Sequence, residues 1–319
     1  MLISYIYAVE NFKLMRKINW NDWDRQLRGP SSYERYNALA KIYKKLYYNI
    51  LRAQLIVLLL ISLLSSIPSP TIQSLKFTQY AILVLIIVYM CILIIQYRSN
   101  YMPKWQKSRF MAESCLSEAW FFMFGFDIYN GEISAIKSVF LNQIKKIKTE
   151  LKVPEMKVVF NPEEALQNEF PEWVVSNRSK DLSHKMDFYL SNRIQNQIDY
   201  YSRRTDKNTR SSEMYFYSGL LLNVVGIVLA ILSIGGTVPT YTYIALFTTL
   251  SAAFVSWTQS KQYEEISAKS SVAIDELNLV KEELILLKSN NDNVSAVKSK
   301  VYEAEKLISR EHKVKRNND

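Results

Sequence analysis

Long uncharged stretches alternate with strongly charged ones along the chain. Between Arg52 and Lys76 the run AQLIVLLLISLLSSIPSP is apolar and ends in two prolines. Between Lys76 and Arg98, FTQYAILVLIIVYMCILIIQY is long enough to cross a hydrocarbon core at about 1.5 Å per residue. From Glu213 to Lys261 charge is absent again, over a window sufficient for two crossings that Gly235, Gly236 and Pro239 cut in half. The pattern predicts four membrane spans, near residues 50–67, 77–97, 214–234 and 241–257. A core helix of a large soluble protein can also be apolar all round. Four of them in 319 residues favour a bilayer.

Outside these runs the period is helical. After the fourth span, Ile266, Ala273, Leu277, Val280, Leu284 and Leu287 share one face, while Glu264, Glu265, Lys269, Asp275, Lys281 and Glu282 fall mostly elsewhere. The polar stretch SNNDNVS interrupts this helix, and a last one runs from residue 296 to about 311 before the tail KVKRNND. The two halves repeat each other weakly: a basic, tyrosine-rich helix, a hairpin, a tryptophan past the exit, and a long amphipathic helix. Trp105 and Trp257 occupy matching places and suit interfacial anchors. The expected fold is all-α, a membrane protein with four transmembrane helices as two hairpins and long amphipathic cytoplasmic helices. The first two-span domain is expected over residues 1–152, and a linker over 153–183, which carries Pro154, Pro162 and Pro171. The second two-span domain follows over 184–288, and the C-terminal helix with its basic tail over 289–319.

Charge orients the hairpins. Lys41, Lys44, Lys45 and Arg52 precede the first span, and Arg98, Lys104, Lys107 and Arg109 follow the second. Arg203, Arg204, Lys207 and Arg210 precede the third, and Lys261 and Lys269 follow the fourth. The tips hold only Lys76, so the positive-inside rule puts both tips away from the cytoplasm and both termini in it. The start MLISYIYAVENFK lacks a basic region, and a cleavable signal peptide is not expected. Bulk composition conceals the membrane, since 49% hydrophobic residues and a mean hydropathy of −0.08 would suit a soluble domain. The net charge of +10 adds attraction to anionic headgroups or a nucleotide-like ligand.

Catalytic chemistry has little to build on. His184 and His312 are the only histidines, Cys91 and Cys115 the only cysteines, and the seven glycines form no phosphate loop. The carboxylate pairs at Glu163 and Glu164, Glu264 and Glu265, and Glu282 and Glu283 read as solvated faces. No enzymatic activity, metal or cofactor is expected. The third span instead sets Gly219, Asn223, Gly226, Ala230 and Ser233 at steps of four and three. The fourth sets Ala245, Thr249, Ala252 and Ser256 in a similar stripe, with Thr248 and Ser251 beside it. Gly219, Gly226, Ala230 and Ala252 are helix-packing candidates, because small side chains let helices approach closely. Asn223, Thr248, Thr249 and Ser256 either hydrogen-bond within the hairpin or line a pore. Two hairpins cannot enclose a conduit, so a pore requires a homo-oligomer, with a tetramer as the working stoichiometry. Uncharged spans argue against a proton pump or voltage sensor. Ahead of the third span, Tyr200, Tyr201, Arg203, Arg204, Lys207 and Arg210 lie close together. Such a set can hold phosphates and stack bases, or serve only as topology charge and an aromatic belt.

YLSNRIQNQIDYYSRRTDKN before the third span, with Trp257 and EEISAKSSVAIDEL after the fourth, resembles the SLATT class of two-span effector domains. Its pattern of an arginine, a glutamine and a Tyr-Tyr pair is matched by Arg193, Gln197, Tyr200 and Tyr201. YNALAKIYKKLYY and WQKSRFMAESCLSEAWFFMFGF resemble a companion subtype joined to it in one polypeptide, so the likeness runs from about residue 33 to 287. The resemblance implies a pore-forming effector of bacterial anti-phage defence, in the inner membrane, that depolarises the infected cell and arrests growth. It also implies a partner nucleotidyltransferase, and a nucleotide or short single-stranded oligonucleotide ligand that opens or closes the channel. The competing expectation is a non-conducting membrane scaffold that recruits a soluble partner through its cytoplasmic helices.

Overall fold

The computed structural model describes residues 29–67, 71–152, 169–234, 241–289 and 293–310. The prolines after the first span, most of the expected linker, the second hairpin tip with Gly235, Gly236 and Pro239, and the basic tail lie outside the described residues. Among the described residues every regular element is helical.

Helix α1 runs Ser31–Ser65; Pro30 leads in, and the Gly29 N–H donates to Glu34 Oε1 at 3.3 Å, closing the first turn. Helices α2 (Ile72–Ser99) and α3 (Tyr101–Phe124) are separated by Asn100 alone, in the left-handed region at φ 47°. Helix α4 is Ile133–Leu151, α5 is Glu172–Arg178 and α6 is Leu182–Tyr189, the last capped by Asp181, whose carboxylate accepts the His184 N–H at 3.1 Å. A π turn, Leu190–Ile194, joins α6 to α7 (Gln195–Ile234). Helix α8 (Tyr241–Lys261) meets α9 (Tyr263–Ser289) at a second single left-handed residue, Gln262 at φ 52°. Helix α10 (Val294–Arg310) ends the described chain, its start capped by Asn293 Oδ1 on the Ala296 N–H at 3.1 Å.

Among the described residues, three helical stretches are long and apolar enough to cross a membrane: Ser31–Ser65, Lys76–Phe124 and Leu182–Ile234. They contain the first three expected spans. The fourth expected span, α8, falls short because Thr248, Thr249, Ser251, Ser256 and Thr258 dilute its apolar run. By length and composition, three of the four expected spans stand among the described residues, and α8 is not clearly the fourth. No part of the apolar window in Lys76–Phe124 is buried within the chain, and only 6% of the window in Leu182–Ile234 is. Leu83, Val84, Ile87 and Ile94 of α2 all face outward. A continuous apolar surface of this kind is stable only against lipid or another subunit.

Below these spans the helices of both halves build one core. Trp120, Phe122 and Met123 of α3 meet Leu277, Val280 and Leu284 of α9, and Val297, Val301, Ala304 and Ile308 of α10. Within the stretch expected to be a linker, α5 buries Trp173 and Val174, with the Trp120 and Trp173 rings 4.5 Å apart. The Arg178 guanidinium donates to the Phe122 and Tyr129 carbonyls and ties α5 to the turn after α3. A smaller cluster sets Tyr36, Leu39 and Tyr43 of α1 against Met111, Ala112 and Cys115 of α3. Cys115 is packed there as a small hydrophobe, while Cys91 faces outward from α2.

Candidate functional site at the membrane face

Within the second hairpin the polar groups pair across α7 and α8. Asn223 Nδ2 donates to Ser251 Oγ at 2.8 Å and to the Gly219 carbonyl at 3.0 Å. Gly219 is buried, and a Cβ there would meet Ser251 Oγ at 3.9 Å, whereas one at Gly226 would meet nothing within 4 Å. Thr249 lies between the hairpins: its hydroxyl donates to the Ala245 carbonyl at 2.8 Å and accepts from Ser62 Oγ of α1 at 3.2 Å. Thr248 and Ala252 face outward, and Ser256 and Ala230 are half-buried. The structure therefore brings Gly219, Asn223 and Ser251 together, and turns Thr249 toward the first hairpin. In apolar surroundings an amide or hydroxyl must find such partners, each worth about 0.6–2 kcal/mol.

The first hairpin carries a matching polar pair, Gln54 donating to Gln96. Just below it the two halves meet around one ring. Tyr48 of α1 is buried, with its centroid 6.0 Å from Trp105 of α3 and 6.0 Å from Trp257 of α8. Lys261 Nζ sits 3.4 Å from the Tyr48 centroid and 4.9 Å from that of Trp257. Lys44 Nζ stands 5.1 Å from Trp105, and the Arg52 guanidinium carbon 5.5 Å from Trp257. The two tryptophans, matched in the sequence, are thus joined through Tyr48. Desolvation, then repulsion from Arg204, Arg109 and Lys207, brings the Lys44 pKa down to about 8. Lys261 is lowered to about 8 as well, by desolvation and then by Lys44, Arg52 and Lys207.

Of the basic, tyrosine-rich stretch on α7, Arg203, Lys207 and Arg210 are exposed along one face. With Asp206, Ser211 and Met214 they line an open cleft of about 420 Å³. Tyr200 is half-buried beneath Arg204, whose guanidinium carbon is 5.8 Å from its ring. Tyr201 is 1% exposed and belongs to the core. Arg193, in the π turn, is also buried: Nε donates to Glu305 Oε1 at 2.9 Å and Nη2 to Glu305 Oε2 at 2.8 Å. Glu305 further accepts from Ser117 Oγ at 2.6 Å and the Tyr189 hydroxyl at 2.9 Å. Glu113 lies 3.5 Å from Arg193 and pairs with Arg109, which donates to Asn37 Oδ1 at 2.7 Å. Burial alone would lower the Arg193 pKa; Glu305 and Glu113 outweigh it and raise it. Among the described residues no cluster of three or more metal-ligating side chains occurs.

Residues 30–185 match SMODS and SLOG-associating 2TM effector domain 3, and residues 189–314 match SMODS and SLOG-associating 2TM effector domain 1. The chain belongs to the SLATT family, as two SLATT domains in tandem. SLATT domains are effector domains of defence systems with two membrane helices each, which makes four for the tandem, and three of these meet the length and composition of a span among the described residues. No curated protein and no solved structure matches the chain. The boundary between the SLATT domains falls just before the π turn, so Arg193 of the second domain reaches Glu113 of the first. In the sequence, Lys44, Arg52 and Lys261 read only as topology charges. The spacing of Lys44, Tyr48 and Arg52, four residues apart on one helical face, is the signal that could have grouped them.

Proposed function

We propose that this tandem SLATT protein is a non-enzymatic membrane effector that assembles as a homo-oligomer and conducts ions through the membrane. In this reading α8 is the fourth span. It packs on α7 through Asn223 and Ser251, brings the Tyr215 and Phe254 rings to 5.8 Å, and carries no charge before Lys261. Both tips face away from the cytoplasm of a bacterial cell, both termini lie inside, and the pore depolarises the inner membrane and arrests growth during phage infection. A nucleotide or short oligonucleotide, made by a partner nucleotidyltransferase, controls it from the cytoplasmic side. The single observation that carries the reading is the fully unburied apolar window of Lys76–Phe124. One face of this helix, with Ile82, Leu85, Tyr89, Ile92 and Gln96, rests half-buried against α1, and the remaining apolar faces are left open to subunits and lipid. Reconstitution in liposomes tests it: ion flux that responds to added nucleotide is expected, and no flux under any condition overturns it.

A second reading, a non-conducting scaffold, is favoured by Asn223 and Thr249, whose polar groups are turned to partners inside the chain. Replacing Thr248, which faces outward, by leucine separates the two. It blocks conductance in a pore lined by α8 and leaves recruitment by a scaffold untouched.

A further inference from the structure

The aromatic junction below the hairpins holds more positive charge than its surroundings compensate. Lys44 and Arg52 come from α1, Lys207 from α7 and Lys261 from the end of α8. Lys44 and Lys261 lie on the rings of Trp105, Tyr48 and Trp257, and Arg52 on Trp257. Among the described residues, every charged group that acts on either lysine is another cation. Ring faces attract cations with about 0.5–1 kcal/mol at exposed sites, too little to offset several like charges held close together. Lys44, Arg52 and Lys207 are exposed and Lys261 half-buried, so an incoming anion can reach all four, while Tyr48 forms the buried floor.

We propose that Lys44, Arg52 and Lys261, arranged over Tyr48, Trp105 and Trp257, form a binding site for a phosphate group together with Lys207 of α7 beside them. A phosphoryl group offers several anionic oxygens to cations arriving from three helices, and each charge-assisted contact relieves repulsion between the others. Two of the four cations belong to the first SLATT domain and two to the second. Occupancy therefore draws the hairpins together at their cytoplasmic ends, and an empty site pushes them apart. The assignment deepens the ligand control proposed above, and rests on that reading for its role in gating. The phosphate comes either from an anionic lipid headgroup, at the depth where the tryptophans anchor, or from a soluble nucleotide.

The test uses the full chain in nanodiscs with two probes. ATP is titrated into protein in phosphatidylcholine nanodiscs, followed by tryptophan fluorescence; retained phosphatidylglycerol is read by native mass spectrometry from nanodiscs that contain it. Wild type and the distant control Lys145→Gln/Lys146→Gln are expected to bind at least one probe. Lys44→Gln/Lys261→Gln is expected to weaken that binding by about tenfold or more. Arg52→Gln/Lys207→Gln, at two exposed positions, repeats the measurement independently should the first pair disturb folding. ATP binding assigns the site to a soluble phosphate, and phosphatidylglycerol retention alone assigns it to a headgroup. Binding of neither probe by wild type, or equal binding by the control and the folded site variants, overturns the site. A chain that binds phosphate without conducting ions overturns the pore and leaves the site standing; one that conducts and binds neither probe does the reverse.

Discussion

Arg193 and Glu305, 112 positions apart, meet as a two-pronged buried pair with contacts of 2.9 and 2.8 Å. The pair clamps the last described helix onto the π turn that begins the second hairpin, and through Ser117 and Glu113 onto the first SLATT domain. The π turn makes this possible, because its extra residue widens the helix and turns Arg193 and Ile194 inward. Removing one partner leaves the other charged and buried. Glu305→Ala is therefore expected to destabilise the fold by about 3–5 kcal/mol. Glu303→Ala, on the exposed side of the same helix, is expected to cost less than about 0.5 kcal/mol. Thermal unfolding of the two variants in the same detergent checks this, and equal melting temperatures would show that the clamp is dispensable.

Stability is expected to rise as pH increases from about 8 toward 10. Lys44 and Lys261 have folded pKa values of about 8 against an ordinary 10.5, so folding is penalised while both are protonated. The unfolded chain holds more protons in that window, and raising pH relieves the penalty. Tyr33 and Tyr48, pushed up to about 12 chiefly by burial, act in the opposite sense above pH 10, where the unfolded phenols ionise first. A melting curve against pH should climb and then turn down. The Lys44→Gln/Lys261→Gln variant should lose the climb; a variant that retains it would point to other groups.

Gly219 and Gly226, about two turns apart on α7, are expected to respond differently to leucine. At Gly219 the larger side chain meets Ser251 and parts Asn223 from it, an overpacking cost of about 1–3 kcal/mol. At Gly226 the chain leaves open space, so the fold tolerates leucine. If subunits approach along this face, Gly226→Leu weakens assembly without lowering the melting temperature of the chain. Native mass spectrometry beside thermal unfolding distinguishes the two effects.

One left-handed residue joins α2 to α3 and one joins α8 to α9, Asn100 and Gln262. Each is followed by a tyrosine that stacks on the preceding arm: Tyr101 on Tyr43 at 6.2 Å, and Tyr263 on Tyr215 at 5.7 Å. A side chain with a Cβ costs roughly 1–2 kcal/mol in this conformation, less for asparagine. Gln262→Gly is expected to stabilise the chain by about 1 kcal/mol and Asn100→Gly by less. Chemical denaturation measures both, and destabilisation by Gln262→Gly would mean that its side chain contributes contacts.

The apolar runs, the helical face of α9, the presence of α10 and the excess of basic flanks were all legible along the chain, because hydropathy, period and charge are local properties. The SLATT motif was legible too, in Arg193, Gln197, Tyr200 and Tyr201. What each motif residue does was not. Tyr200 stays near the surface while its neighbour Tyr201 enters the core, since adjacent positions on a helix point about 100° apart and only packing selects the inner one. Glu305 carried a faint signal, a carboxylate between Val301 and Ile308 on an apolar face, but its partner was fixed only when α10 folded back. Lys44, Arg52 and Lys261 read alike as topology charges in one dimension. Tertiary structure alone decided that they crowd around Tyr48, because α1, α3 and α8, far apart in sequence, converge on its ring, and charges interact through space rather than along the chain.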